Sequence, residues 1–354
     1  MAEGDGDILF ERRGAAGLVT LNRPQALNAV THAMVRALRA QLDAWADDPA
    51  ITRVVIRAAG ERAFSVGGDI RALYDLGKAG KHDEMLQFWR DEYPLNVAIK
   101  NYRKPYVALI DGMVMGGGVG VSVHGSHRVA GNRFQFAMPE VGIGFFPDVG
   151  ATWFLARLPG ELGAYCGLTG ERFGSADALA AGIVTHRVLS ARFGALTEAL
   201  AGTVSVDAIL AAFAESAGEG SIIARRATID RLFAGNSVED ILSTLDHEAA
   251  ADSADAEWAA KTVATMRTKS PLSLKIALAQ VRRGKDWDFE TCMRTEFRIV
   301  SRIIEGHDFY EGVRAVIIDK DNKPRWQPET LAAVSGADVG RHFAPLAAGE
   351  LVLP

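Results

Sequence analysis

A chain of 354 residues with only two cysteines, Cys166 and Cys292, cannot be built on a disulfide framework or a cysteine-rich zinc site. Positive charge is not in surplus either. Thirty-nine Lys and Arg stand against 44 Asp and Glu, a net charge of −5, so no broad basic field exists to hold nucleic acid. No uninterrupted apolar run is long enough to cross a bilayer, and Met1-Ala2-Glu3-Gly4-Asp5 offers no apolar signal core. The expectation is a cytoplasmic protein without membrane attachment. Gly116-x-Gly118 is followed by Val121 where a dinucleotide fingerprint needs its third glycine, and no Gly-Lys-Ser/Thr phosphate loop occurs. Gly120-Val121-Ser122-Val123-His124 lacks the closing glycine of a nucleophile elbow, and its apolar flanks put Ser122 inward on a helix. His124 and His127 are three residues apart, but no carboxylate follows at a metal-ligand spacing. They read as histidines hydrogen-bonded within the fold, and no metal is expected.

What is present is globular: 48% hydrophobic and 23% charged residues, over a length that allows a large domain and a smaller one. Ile8-Leu9-Phe10-Glu11 and Leu18-Val19-Thr20-Leu21 flank a Gly14–Gly17 turn, a hairpin pattern. Thr31 is placed to cap a helix whose Met34, Val35, Leu38 and Leu42 share one face. Val54-Val55-Ile56 and Tyr106-Val107-Ala108-Leu109-Ile110 read as buried strands, and strands alternating with helices argue α/β. After about Gly202 the strand signals stop. Ser270-Pro271 opens a helix, and Phe289, Met293, Phe297, Val300 and Ile304 mark the apolar face of another. The tail after Pro328 reads as loosely structured.

The chemistry concentrates in Gly116-Gly117-Gly118-Val119-Gly120, Met138-Pro139-Glu140 and Phe146-Pro147-Asp148-Val149-Gly150. Glycines let backbone N–H groups approach a ligand, and two carboxylates follow on proline-marked turns. Backbone donors with a carboxylate pair suit acyl chemistry at a stabilised oxyanion.

These residues carry a resemblance. Ala63-Phe64-Ser65-Val66-Gly67-Gly68-Asp69-Ile70, Lys104-Pro105, the Gly116–Gly118 run and Met138-Pro139-Glu140 resemble the crotonase (enoyl-CoA hydratase/isomerase) superfamily over residues 7 to 190. Arg90-Asp91-Glu92-Tyr93, Phe145-Phe146-Pro147-Asp148-Val149-Gly150 and His307-Asp308-Phe309-Tyr310-Glu311-Gly312-Val313-Arg314-Ala315 are similar to its 3-hydroxyisobutyryl-CoA hydrolase branch. That likeness extends to about Trp326.

The resemblance implies a crotonase-like spiral of ββα units with a helical C-terminal region. Residues 1–202 would form the acyl-CoA-binding catalytic core, and 203–354 a mostly helical region completing the fold. It implies an acyl-CoA thioester hydrolase with an oxyanion hole made by the N–H groups of Gly68 and Gly117. Glu140 would be the principal catalytic carboxylate, either general base or nucleophile. Asp148 would orient water or the substrate's 3-hydroxyl, with a turn-forming aspartate as the plainer alternative. Glu92 would bind substrate, unless it is a solvated surface residue. Gly120 stands where hydratases carry a catalytic glutamate, which argues against double-bond hydration. Two other readings stay open: a hydratase or isomerase on the same fold, and a non-catalytic acyl-CoA-binding protein. CoA would enter as part of the substrate, so no separate cofactor is implied, and a monomer or small homo-oligomer is expected. Asp69 is expected to cap a helix from Ile70. Arg71, Lys269 and Lys275 are candidates for CoA phosphates, and Phe145, Phe146, Trp153 and Phe154 for the acyl pocket.

Overall fold

Three successive stretches of the chain follow one plan: a strand, a second short strand, then the start of a helix. The computed structural model describes residues 6–353. The N-terminal pentapeptide, on which the reading of a missing signal core rests, lies outside the described residues. The strands are β1 (Ile8–Arg13), β2 (Ala16–Leu21), β3 (Arg53–Ala58), β4 (Ala63–Ser65), β5 (Tyr106–Ile110), β6 (Met113–Met115), β7 (His127–Ala130), β8 (Gln135–Ala137), β9 (Phe173–Gly174) and β10 (His186–Arg187). One sheet has the order β1-β2-β3-β5-β7-β10, the other β4-β6-β8-β9. The expected hairpin forms, with Ile8 opposite Leu21 and Arg13 opposite Ala16. From β2 to β10 the large sheet is parallel.

The unbroken apolar runs in β3 and β5 are explained by burial on both faces. Val54, Ile56, Tyr106, Ala108 and Ile110 face the main core. Val55, Val107 and Leu109 face a second cluster with Leu196, Leu200, Ile209 and Leu210, from helices Phe193–Ala201 and Val206–Phe213.

The small sheet builds the site. Its strands β4, β6 and β8 lie parallel side by side, Ser65 against Val114 and Met115 against Ala137. Their C-terminal ends therefore open on one edge, and just beyond them come Gly68, Gly117 and Glu140. Asp69 caps α2 (Ile70–Lys78) by accepting from the Ala72 N–H, as expected. α4 (Gly117–Gly120) begins directly at the glycine run. Between them, α3 (His82–Lys100) buries Phe88, Trp89, Glu92, Tyr93 and Asn96. α1 (His32–Asp47) starts at Thr31, whose hydroxyl accepts from the Met34 N–H.

Beyond β10 the regular elements among the described residues are all helices. Ser270 caps the helix Pro271–Gly284, and helix Phe289–Ile303 buries the expected stripe. The tail differs from the sequence reading. Ser335 and Asp338 form a reciprocal capping box that starts helix Gly336–Phe343. This helix packs on Phe289–Ile303, and Arg283 lies over the Phe343 ring at 4.3 Å. A Ser-x-x-Asp signal was there to be read. Among the described residues no helix is long and apolar enough to cross a membrane.

Candidate active site

Each of the two oxyanion candidates follows a glycine with positive φ, +113° at Gly67 and +45° at Gly116. This geometry favours glycine, and it turns the next N–H out of the local hydrogen-bond pattern. Among the described residues neither the Gly68 nor the Gly117 N–H has a partner. They are close together: a Cβ built on Gly117 would lie 3.1 Å from the Gly68 nitrogen. Both open into a cavity of about 380 Å³ whose lining includes Ile70, Trp89, Glu92, Glu140, Phe145, Asp148 and Lys269.

Glu140 is the first residue of the 3-10 helix Glu140–Ile143 that follows β8. It is 7% exposed, and its Oε2 has no partner among the described residues. A Cβ on Gly116 would be 3.4 Å from its Oε1, so the carboxyl stands beside the oxyanion candidates. Burial, then the nearby Asp148 charge, pushes its carboxyl well above the usual range. Asp148 is 5% exposed and accepts from the Tyr93 hydroxyl at 3.0 Å. Burial pushes it up to about 7, against the stabilising Tyr93 hydroxyl, its own backbone N–H and the Trp89 indole. Asp148 opens a turn, its carbonyl accepting from the Ala151 N–H at 3.0 Å, and it also lines the cavity.

Glu92 is 1% exposed, so the solvated surface reading fails. Apolar residues on several sides of α3 hide this from a simple periodicity reading. A Cβ on Gly117 would be 2.8 Å from its Oε1, which has no partner among the described residues. Its carboxyl is pushed well up by burial, then by Asp148 and Glu296.

Position 120 is closed. A Cβ there would lie 2.8 Å from Asn96 Nδ2 and 2.9 Å from the Val149 Cβ. The remaining candidates separate. Lys269 lines the cavity and is held below the usual lysine range by burial. Lys275 instead pairs with Glu239 at 2.6 Å, and Arg71 is exposed outside the cavity lining. Of the four aromatics only Phe145 lines the cavity; Phe146 packs tilted against it, Phe154 packs on His124 and Phe136, and Trp153 carries Lys100 and Arg157 on its faces. Ser122 lies beyond the end of α4 rather than on it, and its hydroxyl donates to the Gly118 carbonyl at 2.7 Å. His124 is hydrogen-bonded to the Val149 carbonyl and His127 to Asp207.

Sequence reasoning missed Tyr93, Asn96, Gln280 and Glu296. The signal for Glu296 was a charged residue beside Phe297, three residues after Met293 on a buried stripe.

Fold and site together define a crotonase-type acyl enzyme: paired N–H donors at the edge of a small parallel sheet, facing buried carboxylates. The chain belongs to the enoyl-CoA hydratase/isomerase family, whose pattern matches residues 16–343. It is 44% identical to the zebrafish (Danio rerio) protein named 3-hydroxyisobutyryl-CoA hydrolase, mitochondrial, over 98% of this chain and 92% of that one. Identity to the Homo sapiens protein of that name is 41%, over 98% and 90%. Among solved structures it is similar to a carnitinyl-CoA dehydratase from Mycobacterium thermoresistibile, with TM-score 0.91, 42% identity, and 98% and 99% coverage. An enoyl-CoA hydratase from Rhodobacter sphaeroides matches with TM-score 0.91, 41% identity, and 98% and 100% coverage.

Proposed function

We propose that the chain hydrolyses the thioester of 3-hydroxyisobutyryl-CoA to 3-hydroxyisobutyrate and CoA, a step of valine breakdown. The observation that carries this is the closed position 120 beside retained Glu140 and Asp148. Relatives at 41–44% identity across nearly the whole chain bear the hydrolase name.

In this reading the thioester oxygen accepts from the Gly68 and Gly117 N–H groups. Fixed donors stabilise the oxyanion that forms there, each by roughly 2.7–4 kcal/mol. Glu140 and Glu92 both feel the Asp148 charge, so protonation belongs to the carboxyl cluster that holds the Glu140–Asp148 pair rather than to one residue. One route has the pair's anion take a proton from water as its oxygen attacks the carbonyl carbon. Collapse then breaks the C–S bond, and the same proton goes to the CoA sulfur. In the other route a Glu140 oxygen attacks, CoA leaves as the thiol with the proton held by Asp148, and water cleaves the mixed anhydride. In a single turnover in ¹⁸O-water, label in the Glu140 peptide marks an anhydride whose Glu140 carbonyl the water attacks, an outcome the first route does not give. Glu92 is assigned to substrate binding, CoA is substrate rather than cofactor, and no metal is invoked.

The hydratase reading rests on the descriptions of the two similar solved structures, and the filled space at residue 120 opposes it. The test follows free thiol from 3-hydroxyisobutyryl-CoA and enoyl absorbance of crotonyl-CoA in parallel. Thiol release lost in both Glu140→Gln and Asp148→Asn supports the proposal. Hydration without thiol release overturns it, and acyl-CoA binding with neither activity supports a binding protein.

The proposed division at residue 202 gives the second part the cavity residues Lys269, Val316, Ile317 and Asn322. A monomer or small homo-oligomer, checked by light scattering, completes the reading. Cytoplasmic location is likewise a proposal, set against relatives named mitochondrial, and imaging of the tagged chain decides it.

A further inference from the structure

The Asp148 turn is closed by one backbone hydrogen bond, from the Ala151 N–H to the Asp148 carbonyl at 3.0 Å, across a strained backbone. Val149 and Gly150 are both left-handed, with φ of +53° and +89°, and a β-branched residue rarely adopts that conformation. Two fully buried side chains from separate C-terminal helices grip the turn. Glu296 accepts from the Gly150 N–H at 2.7 Å through Oε2 and from the Thr152 N–H at 2.8 Å through Oε1. Gln280 donates to the Pro147 carbonyl at 2.6 Å and to the Thr152 hydroxyl at 3.0 Å. Both are 0% exposed, and neither lines the cavity. The bonds bracket Asp148 on both sides in sequence, while Tyr93 holds its carboxylate.

We infer that Glu296 and Gln280 are positioning residues for Asp148, clamping residues 147–152 so that its carboxylate meets the thioester site. The inference rests on the proposed role of Asp148. It gives the helical second half a part in the chemistry: a buried carboxylate and a buried amide over-determine a turn that would otherwise relax. A glutamate is suited to this because both of its oxygens accept, which matches two N–H groups. Glutamine at 296 would turn its NH₂ toward one of those donors.

The experiment measures kcat and KM for thiol release from 3-hydroxyisobutyryl-CoA in Glu296→Gln, Gln280→Met, Asp148→Asn and the two double variants with Asp148→Asn. Circular dichroism monitors folding. Each clamp variant alone is expected to lose kcat roughly 10–100-fold, because small misplacement of a reacting group has effects of that size, with KM within about threefold of wild type. In the Asp148→Asn background, where the residual thiol release is followed at high enzyme concentration, the same substitution is expected to cost less than about threefold more, because the group it positions is already gone. An equal loss in both backgrounds, or a rise in KM with kcat unchanged, overturns the clamp and leaves a merely structural role. Full activity in Asp148→Asn overturns the role of Asp148 itself, a separate outcome. Should Glu296→Gln not fold, Gln280→Met, which roughly keeps side-chain volume and removes the amide, whose oxygen has no partner among the described residues, decides the matter by the same comparison.

Discussion

Val149 fills the space into which any side chain on residue 120 would have to grow, its Cβ standing 2.9 Å from where a Cβ on Gly120 would lie. A side chain at residue 120 therefore requires both Asn96 and Val149 to move. Gly120→Glu should destabilise the protein by about 1–3 kcal/mol from overpacking alone, with a further cost for burying a charge beside Asn96. It should gain no crotonyl-CoA hydration. Urea denaturation and loss of enoyl absorbance check both. A folded variant that hydrates crotonyl-CoA would show that the site is more plastic than its packing indicates.

Gly117 makes the complementary case. A Cβ there would meet Glu92 Oε1 at 2.8 Å and the Gly68 nitrogen at 3.1 Å, in the space of the proposed oxyanion hole. Gly117→Ala should therefore lower kcat about 100–1000-fold, the scale for loss of an oxyanion donor. Binding of CoA itself, read by calorimetry, should change far less. Equal loss of CoA affinity would assign the glycine to binding the nucleotide part instead.

The sequence was informative where the physics is local. Continuous apolar runs marked β3 and β5, Thr31 and Asp69 marked helix starts, and the glycine run marked a backbone approaching a ligand. It was silent on β4, β6 and β8, strands too short to show periodicity, though they align Gly68, Gly117 and Glu140. Glu92 looked ambiguous because the C-terminal half of α3 is enclosed, with Asn96 buried among apolar Trp89, Tyr93, Leu95 and Val97. Glu296 and Gln280 lie 146 and 133 residues from the turn atoms they hold, a relation no local pattern carries.

Buried carboxylates make stability depend on pH. Asp148 has an ordinary value of 3.8 and is pushed up to about 7 in the fold; Glu296 is pushed up to about 8. A carboxyl raised in the folded state leaves stability intact below its unfolded value and drains it as pH rises through the folded one. Unfolding free energy should thus fall between about pH 4 and pH 8. Asp148→Asn keeps an acceptor for the Tyr93 hydroxyl and removes one charge. It should be more stable than wild type at pH 8 by up to about 4 kcal/mol and equal to it near pH 4, while losing thiol release. Urea titrations at both pH values test this, and a pH-independent difference would contradict it.

The hydroxyl of Tyr93 stabilises the Asp148 anion by a 3.0 Å hydrogen bond in a buried site. Its removal in Tyr93→Phe leaves desolvation, the larger influence, unopposed by that bond, so the Asp148 carboxyl moves above about 7. The proposed chemistry needs one anion in the Glu140–Asp148 pair, whichever residue carries it. The acidic limb of the kcat/KM profile should accordingly move to higher pH, with the loss of rate greatest at pH 6 and mostly recovered by pH 9. Near neutrality a fall of about tenfold corresponds to loss of roughly 1.4 kcal/mol, within the range for a hydrogen bond to a charged group. A uniform loss at every pH would mean that Tyr93 acts by packing, through its contact with Phe297, and not through the proton equilibrium of the pair.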